Sequence, residues 1–408
     1  MKKSYKYRIY PSKVQNIRLE EALDQACFLY NQLLDIKIQI YHGEGITLSC
    51  YDLSMIGKDF ITESLHSQTK QNVAKRIDEA YKHFFRRCKQ GKTPGFPKFH
   101  KRAFYKSITF PQYLNEIKSS SKIKVSKIGD VKVVFDRPIT GKIKTLTIKK
   151  ECYDKWFAVF SCDECPTEIQ QEFPDTEVLG IDMGLSTYLA GSDGTIEPNP
   201  RWFDNLEKRM KLNQKRVSKK KKGSSNRRKQ IKKLNQVHYK IKNQREDFLK
   251  KLARKLALKY KYIGIETLNI SGMLKNHCLA KSISDASWGM FLDYLRYYKT
   301  IFEGEIVEIG CWEPTTKTCS GCGHKQKMGL KDRIFKCAAC GLELDRDYNA
   351  SLNIKKLAIK KLVANGIKLN AVGLTVQACG DDVRLMPLVL KRLSAKQELN
   401  GMKQALET

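Results

Sequence analysis

Residues 2–10, KKSYKYRIY, alternate basic with apolar or aromatic positions, which predicts a half-solvated strand ended by Pro11. The spacing then lengthens to that of a helix. Leu23, Ala26, Tyr30, Leu33, Leu34 and Ile38 form one stripe, closed by His42-Gly43-Glu44-Gly45. A second helix is expected from about Gln71 to Cys88, with Val73, Ile77, Ala80, Tyr81, Phe84 and Phe85 inside and Lys75, Arg76, Arg86 and Arg87 facing out. The turn cluster from Gly91 to Arg102 closes this helical unit. From Lys106 to about Cys162 the period falls to two, through SKIKVSKIGDVKVVF, GKIKTLTIKK and KWFAVFSC, so a β-rich module is expected, with a hairpin near Glu151 to Lys155. Its outward positions are mostly lysine, as suits a phosphate backbone, although solvated lysines on strand surfaces explain about half of them.

The second half alternates buried strands with helices. Val178 to Gly184, VLGIDMG, continuing to Ala190, reads as a buried strand that delivers Asp182 at its end and turns at glycine into a second strand, the opening hairpin of a ribonuclease H-like sheet. A plain turn role for Asp182 is the simpler alternative. Tyr262 to Glu266, YIGIE, is another apolar strand that ends in a carboxylate. Between them, Arg201 to Lys261 shows the helical stripe Leu234, Val237, Ile241, Phe248, Leu252 and Leu256, broken upstream at Gly223 to Asn226, which predicts two helices and a basic turn. LAKSISDA, Leu279 to Ala286, leads into a helix bearing Trp288, Phe291, Leu292, Leu295 and Tyr298, and Glu305 to Gly310 is a further strand.

Charge changes this picture from a fold to a binding protein. The 408 residues carry 76 Lys and Arg against 43 Asp and Glu, a net charge of +33 that exceeds any need of solubility and predicts a partner rich in phosphates. A membrane surface is the competing polyanion. It would call for an apolar span of roughly 18 residues, a broad-faced basic amphipathic helix or a lipidation signal, and none is present, so no membrane partner is expected. The first residues lack the apolar h-region of a secretory signal, which predicts an intracellular chain, cytoplasmic and associated with the nucleoid when bound to DNA. The Arg201 to Lys261 segment holds well over half the net charge, and Lys219, Lys220, Lys221, Lys222, Arg227 and Arg228 are its candidate phosphate contacts. A disordered targeting patch would account for the lysine run but not for its periodic flanks.

Cysteine and acid spacing supply the chemistry. Thirteen cysteines without an export signal should be thiols or metal ligands. Cys319 and Cys322, then Cys337 and Cys340, form two C-x-x-C knuckles, each with glycine at the turn, and match a structural Zn²⁺ ribbon. Cys162 and Cys165 repeat the spacing with no second pair or nearby histidine, so that pair reads as incidental. Soon after the ribbon, LDRDYNASLNI, Leu344 to Ile354, passes from a charged turn into a helix. An N-cap needs one acid and two are present, so Asp347 is taken as a third site carboxylate with Asp345 as its substitute. Like charges gathered in a phosphate-binding protein repel and raise each other's pKa, and a divalent cation such as Mg²⁺ or Mn²⁺ relieves the repulsion. Asp182, Glu266 and Asp347 are therefore the candidate ligands of a two-ion site for phosphodiester hydrolysis, with Asp182 as the bridge.

The motifs GIDMGL, GIETLNI and the ribbon with its DRDxNASLNI continuation resemble the TnpB family over roughly residues 1–384. Members of that family are transposon-encoded, RNA-guided DNA endonucleases with a RuvC-like domain, related to compact type V CRISPR effectors. The resemblance implies an α/β architecture: a ribonuclease H-like (RuvC) nuclease domain at 176–384 with a zinc ribbon inserted at 311–344, preceded by a wedge-like β-barrel at 1–10 and 103–175 that carries a helical recognition domain at 11–102. A tail at 385–408 follows. It further implies a guide RNA made from the transposon end, a double-stranded DNA target beside a short motif, and cutting of both strands at one site. Motif reading would fall to the helices around Ser49 to Lys75, where Gln71 and Asn72 could address a base edge through their amides. A non-cleaving RNA-guided repressor, a compact CRISPR effector and a strand-joining recombinase are the other readings; intact acids oppose the first and no recombinase signature supports the last.

Overall fold

The computed structural model describes residues 2–113, 121–151, 155–163, 178–329, 332–367 and 369. The expected turn between Glu151 and Lys155, Cys165, the segment Val372 to Arg384 and the tail lie largely or wholly outside them. The chain divides into two units, Met1–Thr167 with Arg209–Lys240, and Glu168–Lys208 with Ile241–Thr408. No helix among the described residues is long and apolar enough to cross a membrane.

In the first unit, β1 (Lys3–Tyr10) shows the alternating burial its sequence predicts. Helix α1 (Lys13–Glu44) follows, opened by a Ser12–Gln15 capping box and stopped by Gly45 in the left-handed region, φ 71°. Helices α2 (Cys50–Asp59) and α3 (Ser67–Lys89) complete the helical part. The strands β2 (Ser107–Phe110), β3 (Lys122–Val125), β4 (Gly129–Val134), β5 (Lys142–Glu151) and β6 (Lys155–Asp163) join β1 in one antiparallel sheet of order β2-β5-β6-β1-β4-β3. Sheet and helices share a single core: Leu19, Leu23, Leu33 and Ile77 from the helices meet Tyr7, Ile9, Trp156 and Phe160 from the strands. Among the described residues, β2 and β3 are the edge strands of this sheet. Tyr113 donates its N–H to the Lys144 carbonyl of β5 (3.0 Å) and its hydroxyl to the Lys124 carbonyl of β3 (3.2 Å), tying β5 to the β3 edge. Cys162 is buried within β6, which suits the incidental reading.

The second unit is built on β7 (Val178–Met183), β8 (Thr187–Gly191), β9 (Ile196–Pro198), β10 (Tyr262–Glu266) and β11 (Glu305–Ile309), in the order β11-β10-β7-β8-β9. The first three strands form an antiparallel meander, and β10 and β11 add in parallel beside β7. That is a ribonuclease H-like sheet. Helix α4 (Trp202–Ser218) and helix α5 (Ser225–Lys259) lie between β9 and β10, and α6 (Ile270–Met273), α7 (Ala280–Ala286) and α8 (Trp288–Ile301) between β10 and β11. The step from α7 to α8 is a break at Ser287, φ 52°, and α8 begins at Trp288, the first residue of the expected helical stripe. Strands β12 (Ile334–Lys336) and β13 (Glu343–Asp345) form the ribbon's small ladder, and α9 (Arg346–Ala364) ends the described fold.

Helix α9 packs on one face of this sheet, and an aromatic cluster ties β8 to α5 and α8. Val178, Tyr262, Val307 and Ile309 join Ile354, Ala358 and Leu362 of α9 in one cluster. Tyr188 meets Phe248 of α5 and Phe291 of α8 edge-on, at 5.5 and 5.9 Å between ring centres.

Candidate active site and nucleic-acid interface

Strand periodicity puts Val178, Gly180 and Asp182 on one face of β7, and Tyr262, Gly264 and Glu266 on the same face of β10. The strands are in register, with Gly180 beside Gly264 and Ile181 beside Ile265, so the two carboxylates come out as neighbours at one end of the sheet. The glycines set the third acid. A Cβ on Gly180 would lie 2.1 Å from the Ser351 carbonyl and 2.5 Å from the Lys355 nitrogen, and one on Gly264 would lie 2.7 Å from the Ala358 Cβ. Helix α9 thus lies directly on a lane without side chains. From Ser351 back to Asp347 the helix climbs about 6 Å, and from Gly180 to Asp182 the strand advances about 6.6 Å. The first turn of α9 therefore carries Asp347 to the level of the strand acids.

Electrostatics agree with the geometry. The Asp182 carboxyl is pushed up to about 7, first by burial and then by the charges of Glu266 and Asp347, against a smaller opposing effect of Arg346. Two acids compete for the start of α9, and they divide the work. Asp345 is the N-cap, its side chain accepting from the N–H groups of Asp347 (2.9 Å) and Tyr348 (3.1 Å), whereas Asp347 is left to contact Arg346 at 3.3 Å and the charge of Asp182. Three carboxylates, one of them buried and raised by the charges of the other two, are a donor set that fits divalent cations.

Beyond β11, the ribbon reaches this site through residues to which the sequence alone gives no role. The Thr315 hydroxyl donates to Glu266. Asn353 donates to the carbonyls of Thr315 (2.8 Å) and Thr318 (2.7 Å), and Asn349, fully buried, donates to Thr318 (2.8 Å) and accepts from the Ser320 N–H (2.9 Å). Two asparagines four residues apart on one helix face, within a motif already singled out, were the available signal. In the ribbon itself Cys319, Cys322, Cys337 and Cys340 bring their sulfurs within 4.8 Å of one another, the only such ligand set among the described residues. Each knuckle turns at a glycine of positive φ, Gly323 at 80° and Gly341 at 71°. The donor set and its spread fit a tetrahedral ion such as Zn²⁺.

The basic segment folds as two helices and a turn, as expected. Lys219, Lys220, Lys221 and Lys222 are exposed at that turn. Arg227 and Arg228 are engaged differently: Arg227 donates to the carbonyl of Lys220 at 3.1 Å and Arg228 to that of Gly223 at 3.2 Å, so both hold the turn's shape. In the helical unit, Asn72 accepts from Arg76 (3.0 Å), whose guanidinium also binds Ser107 and Thr109, which ties this amide into a structural network. Gln71 instead lines an open cleft with Ser54, Lys58, Thr62, His66 and Lys70.

Three family models match. The OrfB_IS605 model, described as "Probable transposase", covers residues 161–277; a "Cas12f1-like, TNB domain" covers 288–354; and a "Helix-turn-helix domain" covers 1–45. The last falls on β1 and the unbroken helix α1, so no turn between helices exists there. A "Putative RNA-guided DNA endonuclease" of Streptomyces pristinaespiralis is 28% identical over 393 residues, 94% of this chain and 92% of that one. "Putative RNA-guided DNA endonuclease InsQ" of Escherichia coli K12 is 28% identical over 336 residues, 78% and 77% of the two chains. Among solved structures, the protein of a Cas12f1–sgRNA–target DNA complex superposes with a TM-score of 0.53 at 15% identity, over 87% of this chain and 98% of its own, and shares the fold. The matched models and the relatives named as RNA-guided DNA endonucleases bear out the resemblance of this chain to the TnpB (OrfB_IS605) family.

Proposed function

We propose that this chain is an RNA-guided DNA endonuclease that binds a guide RNA and a double-stranded DNA target and hydrolyses phosphodiester bonds at the carboxylates Asp182, Glu266 and Asp347. The observation that carries this reading is Asp182 at one end of a ribonuclease H-like sheet, its carboxyl pushed up to about 7 by burial and by the charges of Glu266 and Asp347. Relatives named as RNA-guided DNA endonucleases support it. Asp182, Glu266 and Asp347 would hold Mg²⁺ or Mn²⁺, which take hard oxygen ligands. The ions would supply charge stabilisation and activated water for an in-line displacement. Thr315 holds the Glu266 carboxylate in place, and Asp345 keeps its role as helix cap. Cys319, Cys322, Cys337 and Cys340 would hold a structural Zn²⁺ in a closed shell.

We assign residues 1–10 and 103–175 to a wedge module, 11–102 to a recognition module in which Gln71 reads the target-adjacent motif, and 176–384 to the nuclease with its ribbon at 311–344. Cleavage of a guide-matched plasmid tests the reading. Alanine at Asp182, Glu266 or Asp347 should lower the rate about a thousandfold or more, the loss of several kcal/mol of charge stabilisation, while guide and target still bind. Chelation by EDTA should do the same. Cleavage that survives in metal-free buffer, or an Asp347→Ala protein that cuts while Asp345→Ala does not, would overturn the ligand assignment.

A further inference from the structure

The chain has four tryptophans, and three of them are buried: Trp156 at 1%, Trp202 at 6% and Trp288 at 3% exposure. Trp312 is 93% exposed. Its place in the fold is narrowly bounded. It lies in the loop that leaves β11 and enters the ribbon, three residues after Ile309 and three before Thr315. Ile309 is paired with Glu266 in the sheet and accepts from the Thr267 N–H at 2.9 Å, and the Thr315 hydroxyl donates to Glu266. Three peptide units span at most about 11 Å, so both ends of the loop confine Trp312 to the rim of the acid site.

The loop is held in shape. Glu313 donates to the Gly310 carbonyl at 3.2 Å and Thr315 to that of Glu313 at 2.8 Å, Pro314 fixes one φ, and Asn353 grips the Thr315 carbonyl. Its composition is unlike the rest of the molecule. In a chain of 76 lysines and arginines, residues 310–316 (GCWEPTT) contain none, and Glu313 is exposed beside the indole. Such a loop cannot neutralise phosphate. What it offers is a large flat aromatic face, which suits an unpaired base.

We propose that Trp312 is a substrate-positioning residue: its indole stacks on a base of the single strand presented to Asp182, Glu266 and Asp347. The inference rests on the nuclease reading above. Stacking needs a base freed from its duplex, so the occupant is one strand of DNA, unpaired near the bond to be cut. Basic surfaces elsewhere supply affinity for its backbone, and the stacked base fixes which phosphate reaches the carboxylates.

The test uses the full chain with its guide RNA in EDTA, where nothing is cut, and single-stranded oligodeoxythymidylate as the probe. In the free protein, acrylamide should quench one tryptophan component, absent from Trp312→Ala, and the oligonucleotide should quench and shield that component. With Mg²⁺, Trp312→Ala should weaken binding of a single-stranded substrate between about fivefold and a hundredfold, raising KM more than it lowers kcat, and Trp312→Phe should recover most of it. Emission from the three buried tryptophans and an unchanged Tm show that the variant is folded. A Trp312 component still open to acrylamide with the strand bound overturns the proposal, as does wild-type KM in Trp312→Ala. So does loss of self-association in that variant, which would make the indole a contact between protein copies. Fluorescence does not depend on cleavage: equal inactivity of wild type and Asp182→Ala would sink the nuclease reading alone, whereas normal cleavage with an unshielded Trp312 would sink this inference alone.

Discussion

Asp193, in the turn between β8 and β9, shows how single carboxylates in one domain take opposite electrostatic fates. Burial raises its pKa, but hydrogen bonds from Tyr260 (2.6 Å), the hydroxyl and N–H of Thr195 (2.7 and 3.0 Å) and Lys259 (3.1 Å) prevail and hold the group well below the usual range. Asp182, whose burial and two acidic neighbours outweigh the charge of Arg346 and the Met183 N–H, moves the other way. A folded pKa below the unfolded one means stability that is complete above about pH 4 and lost as pH falls through the folded value. Asp193→Asn should therefore destabilise the nuclease unit by about 1–2 kcal/mol at pH 7, a figure discounted for partial solvent contact, and the gap to wild type should close below pH 4. Urea unfolding at pH 7 and pH 3 measures both. Spacing along the chain does not reveal this role, because two of the donors, Lys259 and Tyr260, lie 66 and 67 positions away.

Elements meet here through absences of side chain as much as through their presence. Glycine in a buried strand usually weakens it, yet Gly180 and Gly264 stand side by side in β7 and β10 and admit the backbone of α9. Gly180→Ala would drive a methyl into the Ser351 carbonyl and the Lys355 nitrogen, which cannot turn aside as a flexible side chain would. It should destabilise the second unit by about 3 kcal/mol or more and displace Asp347 from the strand acids. Thermal unfolding followed beside DNA cleavage reads both effects. Gly43→Ala is the control, since a Cβ there meets nothing within 4 Å and lies within α1, where alanine is the better helix former.

Across the whole molecule the net charge of +33 is spread unevenly, and the α4–α5 segment is its densest part. Structure divides the basic residues of that segment into two kinds. Arg227 and Arg228 bind carbonyls of the turn, whereas Lys219 to Lys222 face solvent. Replacing these four lysines with glutamine should leave the fold and the choice of target unchanged. It should flatten the salt dependence of nucleic-acid affinity by roughly 0.7–0.9 log units per log unit of salt for each phosphate no longer neutralised. Titrations of guide RNA between 50 and about 300 mM salt measure the slope. An unchanged slope would make the run a solvated loop.

Local chemistry was legible in the chain itself. Strand alternation at 2–10, helical stripes in α1, α3 and α5, the paired C-x-x-C knuckles and an acid at the end of each of two apolar strands all follow from short-range spacing, which solvent and backbone geometry dictate over a few residues. Tertiary structure decided what those residues meet. It made Asp345 the cap and turned Asp347 toward Asp182, engaged Asn72 and Arg227 in structural bonds, linked Thr315 to Glu266 and left Trp312 exposed on the rim. Each of those outcomes depends on partners brought together from different elements, and spacing along a chain records periodicity without recording which faces will touch.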